Sequence, residues 1–238
     1  MSDLVMTGAT ADELWPLVRD YHYSRKMPSA ARHCFAWRKA GGLFGDTGEV
    51  VAGAIFGNPV NRNWPSDALE LQRLIRRDDF TQPLSALLSF SLKWLKANTT
   101  VPFVLSYADT GQGHHGGIYQ ASGWKFVATS KARQDGVICQ KTGRYIHGRQ
   151  IGREFGTQKR AVLLDLLPEG YELAWHEQKN LYIFPLRQKL KTLLRRFNWQ
   201  ELSFPKPLYA ARPLDAPGTT GIEAGATPAG RSNIPDAA

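Results

Sequence analysis

An acid, two imidazoles and a phenol lie close together in the middle of the chain, as Asp109, His114, His115 and Tyr119. An aspartate can act as a general base, an orienting group or a metal ligand. A tyrosine can donate a proton to a leaving thiolate or position a reacting carbon. The alternatives are a turn aspartate that bonds its own loop and a half-buried tyrosine with a satisfied hydroxyl. The spacing of His114 and His115 matches no strong metal motif.

The flanking elements predict where these residues lie. The apolar run 101–107 reads as a strand that leads into Asp109, and a short helix at 115–122 and a strand at 124–129 follow it. Open α/β sheets bind their ligands at the carboxyl ends of strands. This segment is therefore the predicted centre of chemistry.

The remaining pattern up to residue 141 is typical of an α/β domain. A capping box is predicted at Thr10, with Glu13 three residues on. The apolar spacing predicts strands at 32–39, 49–56, 68–75 and 136–140, and a helix over 84–96. Thr81 is the predicted cap of that helix, with Pro83 in its first turn.

The composition limits the class of protein. The net charge is +9 and the pI is about 9.7, which favours a polyanionic partner or indicates a merely basic soluble protein. Cys34 and Cys139 are too far apart for a CxxC site. No apolar run is long enough to span a membrane, and no secretory signal is visible, so we expect a cytoplasmic protein.

Residues 142–212 form a basic, aromatic-rich extension that we expect to pack on the first domain, with a helix near 186–197. Its cations suit contacts to DNA phosphates, although a solvated helix face is the alternative. Residues 213–238 have few large apolar side chains (Leu214, Ile222 and Ile234), and we expect this tail to be disordered. The candidate DNA-binding residues are Arg149, Arg153, Lys159, Arg160, Lys189, Arg195 and Arg196.

The order of elements resembles the GNAT N-acetyltransferase fold, which implies a central mixed β-sheet flanked by helices, with the basic C-terminal extension added to it. The segment 118–126, IYQASGWKF, is similar to the LYxxxGF segment of those enzymes, with Tyr119 at the tyrosine, and residues 73–85 occupy the place of their pyrophosphate-binding loop. The usual glycine-rich pattern is absent from that loop. The resemblance nevertheless implies a coenzyme A derivative, with acetyl-CoA the expected cofactor. Its predicted ligands are Arg73, Arg77, Thr81, Gln82 and Ser85.

A more specific resemblance is to the phage Mom family. It rests on YHYSRKMP (21–28), LELQRLIRRDD (69–79), SYADTGQGHHGGIYQASGW (106–124) and the basic C-terminal part, and it spans about residues 15–210. That family is linked to the addition of a carbamoylmethyl group to N6 of adenine in DNA, which shields phage DNA from restriction. The resemblance implies double-stranded DNA as partner and Asp109, Tyr119 and Arg73 as catalytic residues.

Three hypotheses follow. The first is a DNA-modifying transferase, for which iron held by His22, Tyr23 and Asp109 could activate the transferred carbon. The second is a plain GNAT-type N-acetyltransferase acting on a small amine or protein, and the third is a non-catalytic DNA-binding protein. The oligomeric state is open, a homodimer included.

Overall fold

The computed structural model of the chain describes residues 4–40, 48–61, 63–146, 148–157, 159–176 and 178–205, with the backbone alone at 112, 133–135, 149 and 176. The strands are β1 (Leu4–Ala9), β2 (Ala31–Lys39), β3 (Val50–Gly57), β4 (Leu69–Arg76), β5 (Phe103–Asp109), β6 (Lys125–Thr129), β7 (Arg133–Cys139), β8 (Tyr145–Ile146), β9 (Tyr171–His176) and β10 (Lys179–Pro185). The helices are α1 (Ala11–Tyr21), α2 (Ser85–Asn98), α3 (Gly117–Ala121), α4 (Gly148–Phe155), α5 (Arg160–Leu166) and α6 (Leu190–Arg196).

A seven-stranded mixed sheet forms the centre of the fold, in the order β1-β2-β3-β4-β5-β10-β6. Its neighbouring strands are antiparallel except for β4 and β5, which run parallel. This confirms the predicted central mixed sheet flanked by helices. The capping box at Thr10 is also confirmed, because the Thr10 hydroxyl accepts from the Glu13 amide and the Glu13 carboxylate accepts from the Thr10 amide.

Helices cover both faces of the sheet. Alternate residues of a strand point to opposite faces, so each strand contributes side chains to both layers of helices. Ala36 and Ile55 pack with α1, whereas their neighbours Phe35, Trp37, Ala54 and Phe56 belong to the core cluster that contains the leucines of α2. On β5, Phe103 and Leu105 pack with α6 and Val104 packs in the α2 cluster. Helix α2 therefore lies on the opposite face from α1 and α6.

A smaller unit is inserted between two neighbouring strands of the central sheet. Strands β8-β7-β9 form a separate three-stranded sheet, which together with α4 and α5 falls within residues 130–178, between β6 and β10. The unit has its own core, built around Val137, Ile146, Ile151 and Leu163. We call residues 130–178 the insertion. Strand β10 lies beyond residue 142 yet sits inside the central sheet, so the predicted division at 141/142 does not mark the edge of that sheet.

Several local predictions differ from the structure. Thr81 does not cap α2: the helix begins at Ser85, its N-cap is Leu84, and no side chain bonds its first turn. The helix expected at 186–197 is shorter: β10 ends at Pro185, and α6 spans only Leu190–Arg196. The predicted disordered tail, 213–238, lies outside the described residues. Among the described helices, none is both long and apolar enough to cross a membrane.

Candidate active site

The parallel strands β4 and β5 pair only over their first halves, where Leu69 faces Val104 and Glu70 faces Leu105. One further bond links them, from the Ser106 hydroxyl to the Leu71 carbonyl at 3.0 Å. Beyond it the strands separate, and a cleft of about 570 Å³ opens between their carboxyl ends. A cleft of this volume suits a small-molecule ligand or cofactor.

Tyr119 lies on the wall of this cleft and is held by Ser106. Their hydroxyl oxygens are 2.8 Å apart. Because the Ser106 hydrogen is donated to a carbonyl, which can only accept, the phenol donates to Ser106. Burial raises the pKa of Tyr119 to about 12, so the phenol is protonated at neutral pH. It is therefore an available proton donor once a ligand atom replaces Ser106 as its partner.

Asp109 ends β5 at the rim of the cleft, and its side chain is 14% exposed. One carboxylate oxygen accepts from the Gly111 amide at 3.2 Å, so the aspartate does bond its own loop. The other lies 2.9 Å from the Lys179 ammonium. The carboxylate therefore has a fixed orientation at the cleft, which both a general base and an orienting group require.

Arg73 fastens the turn after α1 to strand β4. Its Nε and Nη2 atoms donate to the Lys26 carbonyl at 3.1 and 2.9 Å, and Nη1 donates to the Gln72 carbonyl at 2.6 Å. The turn carries His22 and Tyr23 to the cleft. Arg73 also lines the cleft, but the three guanidinium nitrogens all bond the backbone. Its predicted part in anion binding stays a prediction, and its visible contacts are structural.

His22 is buried beside Arg73 and keeps a defined tautomer. Its Nδ1 atom accepts from the Ser24 amide at 3.1 Å, so the proton of the neutral ring is on Nε2. The Ser24 hydroxyl lies 2.8 Å from the same nitrogen. Burial, and then the positive charge of Arg73, lowers the pKa of His22 to about 4. The imidazole is therefore neutral at physiological pH.

The loop between β5 and α3 closes one side of the cleft. Gly113 and Gly116 have φ angles of +72° and +91°, which glycine adopts at low cost. The Tyr182 hydroxyl donates to the His115 carbonyl at 2.8 Å and fills the space below Gly116. The His114 ring faces Tyr23, with 6.4 Å between the ring centroids. The two imidazoles thus lie at the cleft, as predicted.

The predicted anion site is only partly assembled. Ser85 lines the cleft together with Pro83 and Leu84, at the uncapped start of α2. Arg77 instead forms ion pairs with Asp79 and Glu49, and it does not line the cleft. Thr81 and Gln82 are exposed and also lie outside the cleft lining. The exposed Arg76 does line it.

The predicted iron site receives no support from the described residues. No group of three or more His, Cys, Asp or Glu side chains in the described part of the chain is arranged to hold a metal ion. His22, Tyr23 and Asp109 all line the cleft, but Asp109 is paired with Lys179 and His22 Nδ1 bonds within its own turn. Their role as metal ligands stays a prediction.

The candidate DNA-binding residues form two groups on the surface. Arg153, Lys159 and Arg160 are exposed on the insertion, and Lys189, Arg195 and Arg196 are exposed on and before α6. The side chain of Arg149 lies outside the described ones. All six described cations are accessible, and their contact with DNA stays a prediction.

Sequence reasoning missed two residues that line the cleft, Ser106 and Tyr107, and a third, Lys179, that pairs with Asp109 at its rim. Ser106 was interpreted as packing, Tyr107 as part of an apolar run, and Lys179 only as one of many surface cations. Tyr107 lines the cleft, accepts from Trp64 Nε1 at 3.1 Å and has its pKa raised by burial to about 12. The alternation of β5 could have identified Ser106, as a polar residue on the face of Val104. Nothing local could have identified Lys179.

The sequence model of the Mom protein family matches residues 3–206. No curated protein is similar enough in sequence to match the chain. Among solved structures, the chain is similar to a ribosomal-protein alanine N-acetyltransferase from Escherichia coli (10% identity, 79% of this chain and 96% of that chain, TM-score 0.44). It is also similar to a Bacillus subtilis acetyltransferase in complex with CoA (12%, 77% and 99%, 0.43) and to a GNAT family acetyltransferase from Elizabethkingia anophelis with acetyl-CoA bound (11%, 78% and 100%, 0.40).

Proposed function

This chain belongs to the Mom protein family, and we propose that it is an enzyme that adds a carbamoylmethyl group to N6 of adenine in DNA. The family match over residues 3–206 carries the proposal, because it includes the whole cleft and the insertion. The family resemblance links this chemistry to protection of phage DNA from restriction. The positions that carry the resemblance, Asp109 and Tyr119, both lie at the cleft.

The substrate imposes a requirement that the cleft can meet. N6 of adenine lies inside the duplex stack, so an enzyme that acts on it flips the base out, at a cost of a few kcal/mol. The cleft opens at the carboxyl ends of β4 and β5 and carries aromatic side chains, among them Tyr23 and Tyr107. Base stacking on such rings is worth about 1–3 kcal/mol per base, which offsets much of the cost of flipping.

Acetyl-CoA is the cofactor of the proposal, and the start of α2 supports it. The first turn of α2 has no side-chain cap and no acidic residue, and Leu84 and Ser85 place it at the cleft. Uncapped amides at a helix N-terminus attract phosphate oxygens. Arg76 lies beside them at the same cleft. These groups would hold the phosphates of coenzyme A, in place of the predicted Arg77, Thr81 and Gln82.

Two residues of the cleft receive chemical roles in the proposal. N6 of adenine is a weak nucleophile, because its lone pair is delocalised into the ring. The Asp109 carboxylate would accept a proton from N6 or orient the amine, and the protonated Tyr119 would donate to the leaving thiolate. Such proton transfers typically contribute about 10²- to 10⁴-fold in rate.

The product needs more than acetyl transfer. Acetyl transfer would join N6 to a carbonyl carbon, whereas the carbamoylmethyl product joins N6 to a CH₂ that carries an amide. Joining N6 to the methyl carbon removes one hydrogen from each, so the reaction requires a two-electron oxidant as well as a donor of the amide nitrogen. Iron could supply this chemistry, but no group of three or more His, Cys, Asp or Glu side chains among the described residues supports an iron site, and no step is assigned to it.

The proposal is tested by expressing the chain in a restriction-deficient bacterium and analysing the nucleosides of its plasmid DNA by mass spectrometry. A deoxyadenosine that is heavier by the carbamoylmethyl substituent is the expected result. Folded protein that leaves deoxyadenosine unmodified would overturn the proposal. An N6-acetylated product would retain DNA as the substrate and replace the carbamoylmethyl group by a plain acetyl group.

A further inference from the structure

The strongest unassigned feature of the cleft is an ion pair between two elements that are far apart in the chain. Lys179, the first residue of β10, lies directly opposite Asp109, the last residue of β5, in the antiparallel register. Its ammonium is 2.9 Å from the Asp109 carboxylate. The two side chains are only 26% and 14% exposed, so the pair is shielded from solvent more than a surface ion pair.

The backbone around Lys179 is fixed by three further hydrogen bonds. The Lys179 amide donates to the Ser130 hydroxyl, and the Ser130 amide donates to the Lys179 carbonyl, each at 2.8 Å. The Thr110 hydroxyl donates to the Gln178 carbonyl at 2.6 Å. The start of strand β10 and these hydrogen bonds therefore hold the Lys179 ammonium close to Asp109.

We propose that Lys179 is a positioning residue, which holds the Asp109 carboxylate in the orientation that the reaction uses. The inference rests on the proposed function, in which Asp109 is the group that contacts the substrate amine. Lys179 does not line the cleft among the described residues, so it acts through Asp109. An ammonium at this distance forms a charge-assisted hydrogen bond that fixes one oxygen of the carboxylate.

The pair lies at the point where the insertion rejoins the central sheet. The chain leaves the central sheet after Thr129 and returns at Lys179, and these ends are joined by the bonds of Ser130. The return of the insertion thus places a cation against the candidate catalytic carboxylate. A displacement of this return point would alter the site without any change in the residues that line it.

The test compares four variants in cells, by the rate at which modified adenine accumulates in plasmid DNA after induction. Lys179→Met should lower the rate by about 10- to 100-fold, which is typical when the partner that orients a reacting group is lost. Lys179→Arg should recover most of the rate, because it retains a cation opposite Asp109. In an Asp109→Asn background, Lys179→Met should cause no further loss.

Lys125→Met is the matched control. Lys125 also lies on the central sheet and pairs with Glu201 at 2.7 Å, but it does not line the cleft, and its variant should keep the wild-type rate. The proposal is overturned if Lys179→Met modifies DNA at the wild-type rate. It is also overturned if Lys179→Met lowers the rate in the Asp109→Asn background by the same factor as in the wild-type background. If the wild-type chain itself leaves DNA unmodified, that result overturns the proposed function, and it is distinct from a loss caused by Lys179→Met. Thermal unfolding of each variant verifies that it is folded.

Discussion

Three side chains of the cleft owe their orientation or position to partners that are distant in sequence. Ser106 directs the phenol of Tyr119, Lys179 fixes Asp109, and Arg73 places His22 by holding the turn that follows it. Each residue type was recognisable from the sequence, whereas each partner depends on strand order or register. The chemistry of this site is therefore set by pairs of residues.

The first prediction at this scale concerns the two residues with proposed chemical roles. Asp109→Asn and Tyr119→Phe should each lower adenine modification by about 100-fold or more, because each removes a proton-transfer group. Both changes preserve side-chain shape, and loss of the Tyr119 hydrogen bond should cost about 1 kcal/mol of stability. Nucleoside mass spectrometry measures the activity, and a DNA-binding titration should remain near wild type. Full protection from restriction in both variants would show that the site lies elsewhere.

The second prediction concerns His22 and acid stability. Its pKa is lowered to about 4 in the folded protein from the usual 6.5, so between these values the unfolded chain binds the proton and the folded protein does not. This contribution is fully present above pH 6.5 and is lost as the pH falls towards 4, with a slope of at most about 1.4 kcal/mol per pH unit.

His22→Asn should therefore flatten the fall in the free energy of unfolding between these two pH values, measured by denaturant titration. His33→Asn is the control: the pKa of His33 is also lowered by burial, but the ring is more exposed, and the effect should be smaller. Parallel curves for wild type and His22→Asn would contradict the assignment.

The third prediction concerns the clamp formed by Arg73. Arg73→Met leaves the Lys26 and Gln72 carbonyls without their guanidinium donors, which should cost about 1–3 kcal/mol in the free energy of unfolding. It should also lower activity, because the turn that carries His22 is released. Arg76→Met, on the same strand but exposed, should change stability by less than about 0.5 kcal/mol. Equal stability of the two variants would exclude a clamp at Arg73.

At the scale of elements, the sequence predicted those elements that are determined by residues close together in the chain. The strands β2 and β3, the alternating pattern of β4, the capping box of α1 and the strand-to-helix segment around Asp109 all depend on residues near in sequence, and they were found. Strand β10 was missed, because its partner strands β5 and β6 are separated from it by the insertion. The sequence predicted the site from Asp109 to Tyr119 and could not predict Lys179, which only the register brings there.

Two glycines of the loop between β5 and α3 can be substituted to test what holds this loop in position. A Cβ at Gly116 would lie 2.3 Å from the Tyr182 ring and hydroxyl, whereas one at Gly113 would meet nothing within 4 Å. Both residues have positive φ, so alanine costs about 1–2 kcal/mol of backbone energy at either position. At Gly116 the steric clash should add about 1–3 kcal/mol.

Gly116→Ala should therefore lower the melting temperature more than Gly113→Ala does, and it should also lower activity, since the loop carries His114 and His115. Gly113→Ala is the matched control for the backbone cost alone. Equal destabilisation by the two variants would show that Tyr182 does not set the position of the loop.

At the scale of the whole molecule, the direction of β10 separates the two basic surfaces. Lys179 begins β10 opposite Asp109, at the cleft, and Pro185 ends it opposite Phe103, at the other end of β5. The insertion is therefore rooted at the cleft end of the sheet, and the chain proceeds to α6 from the far end. DNA whose base enters the cleft should contact the insertion more than α6.

The last prediction follows from this polarity. Replacing Arg153, Lys159 and Arg160 by Gln should weaken DNA binding and reduce the slope of log affinity against log salt by about 0.9 for each phosphate contact that is lost. The same change at Lys189, Arg195 and Arg196 removes equal charge and should have a smaller effect. Lys93→Gln with Lys96→Gln, on the exposed side of α2, controls for net charge alone. A larger loss from the α6 set would place the DNA across the far end of the sheet, and unchanged slopes in both sets would exclude both surfaces.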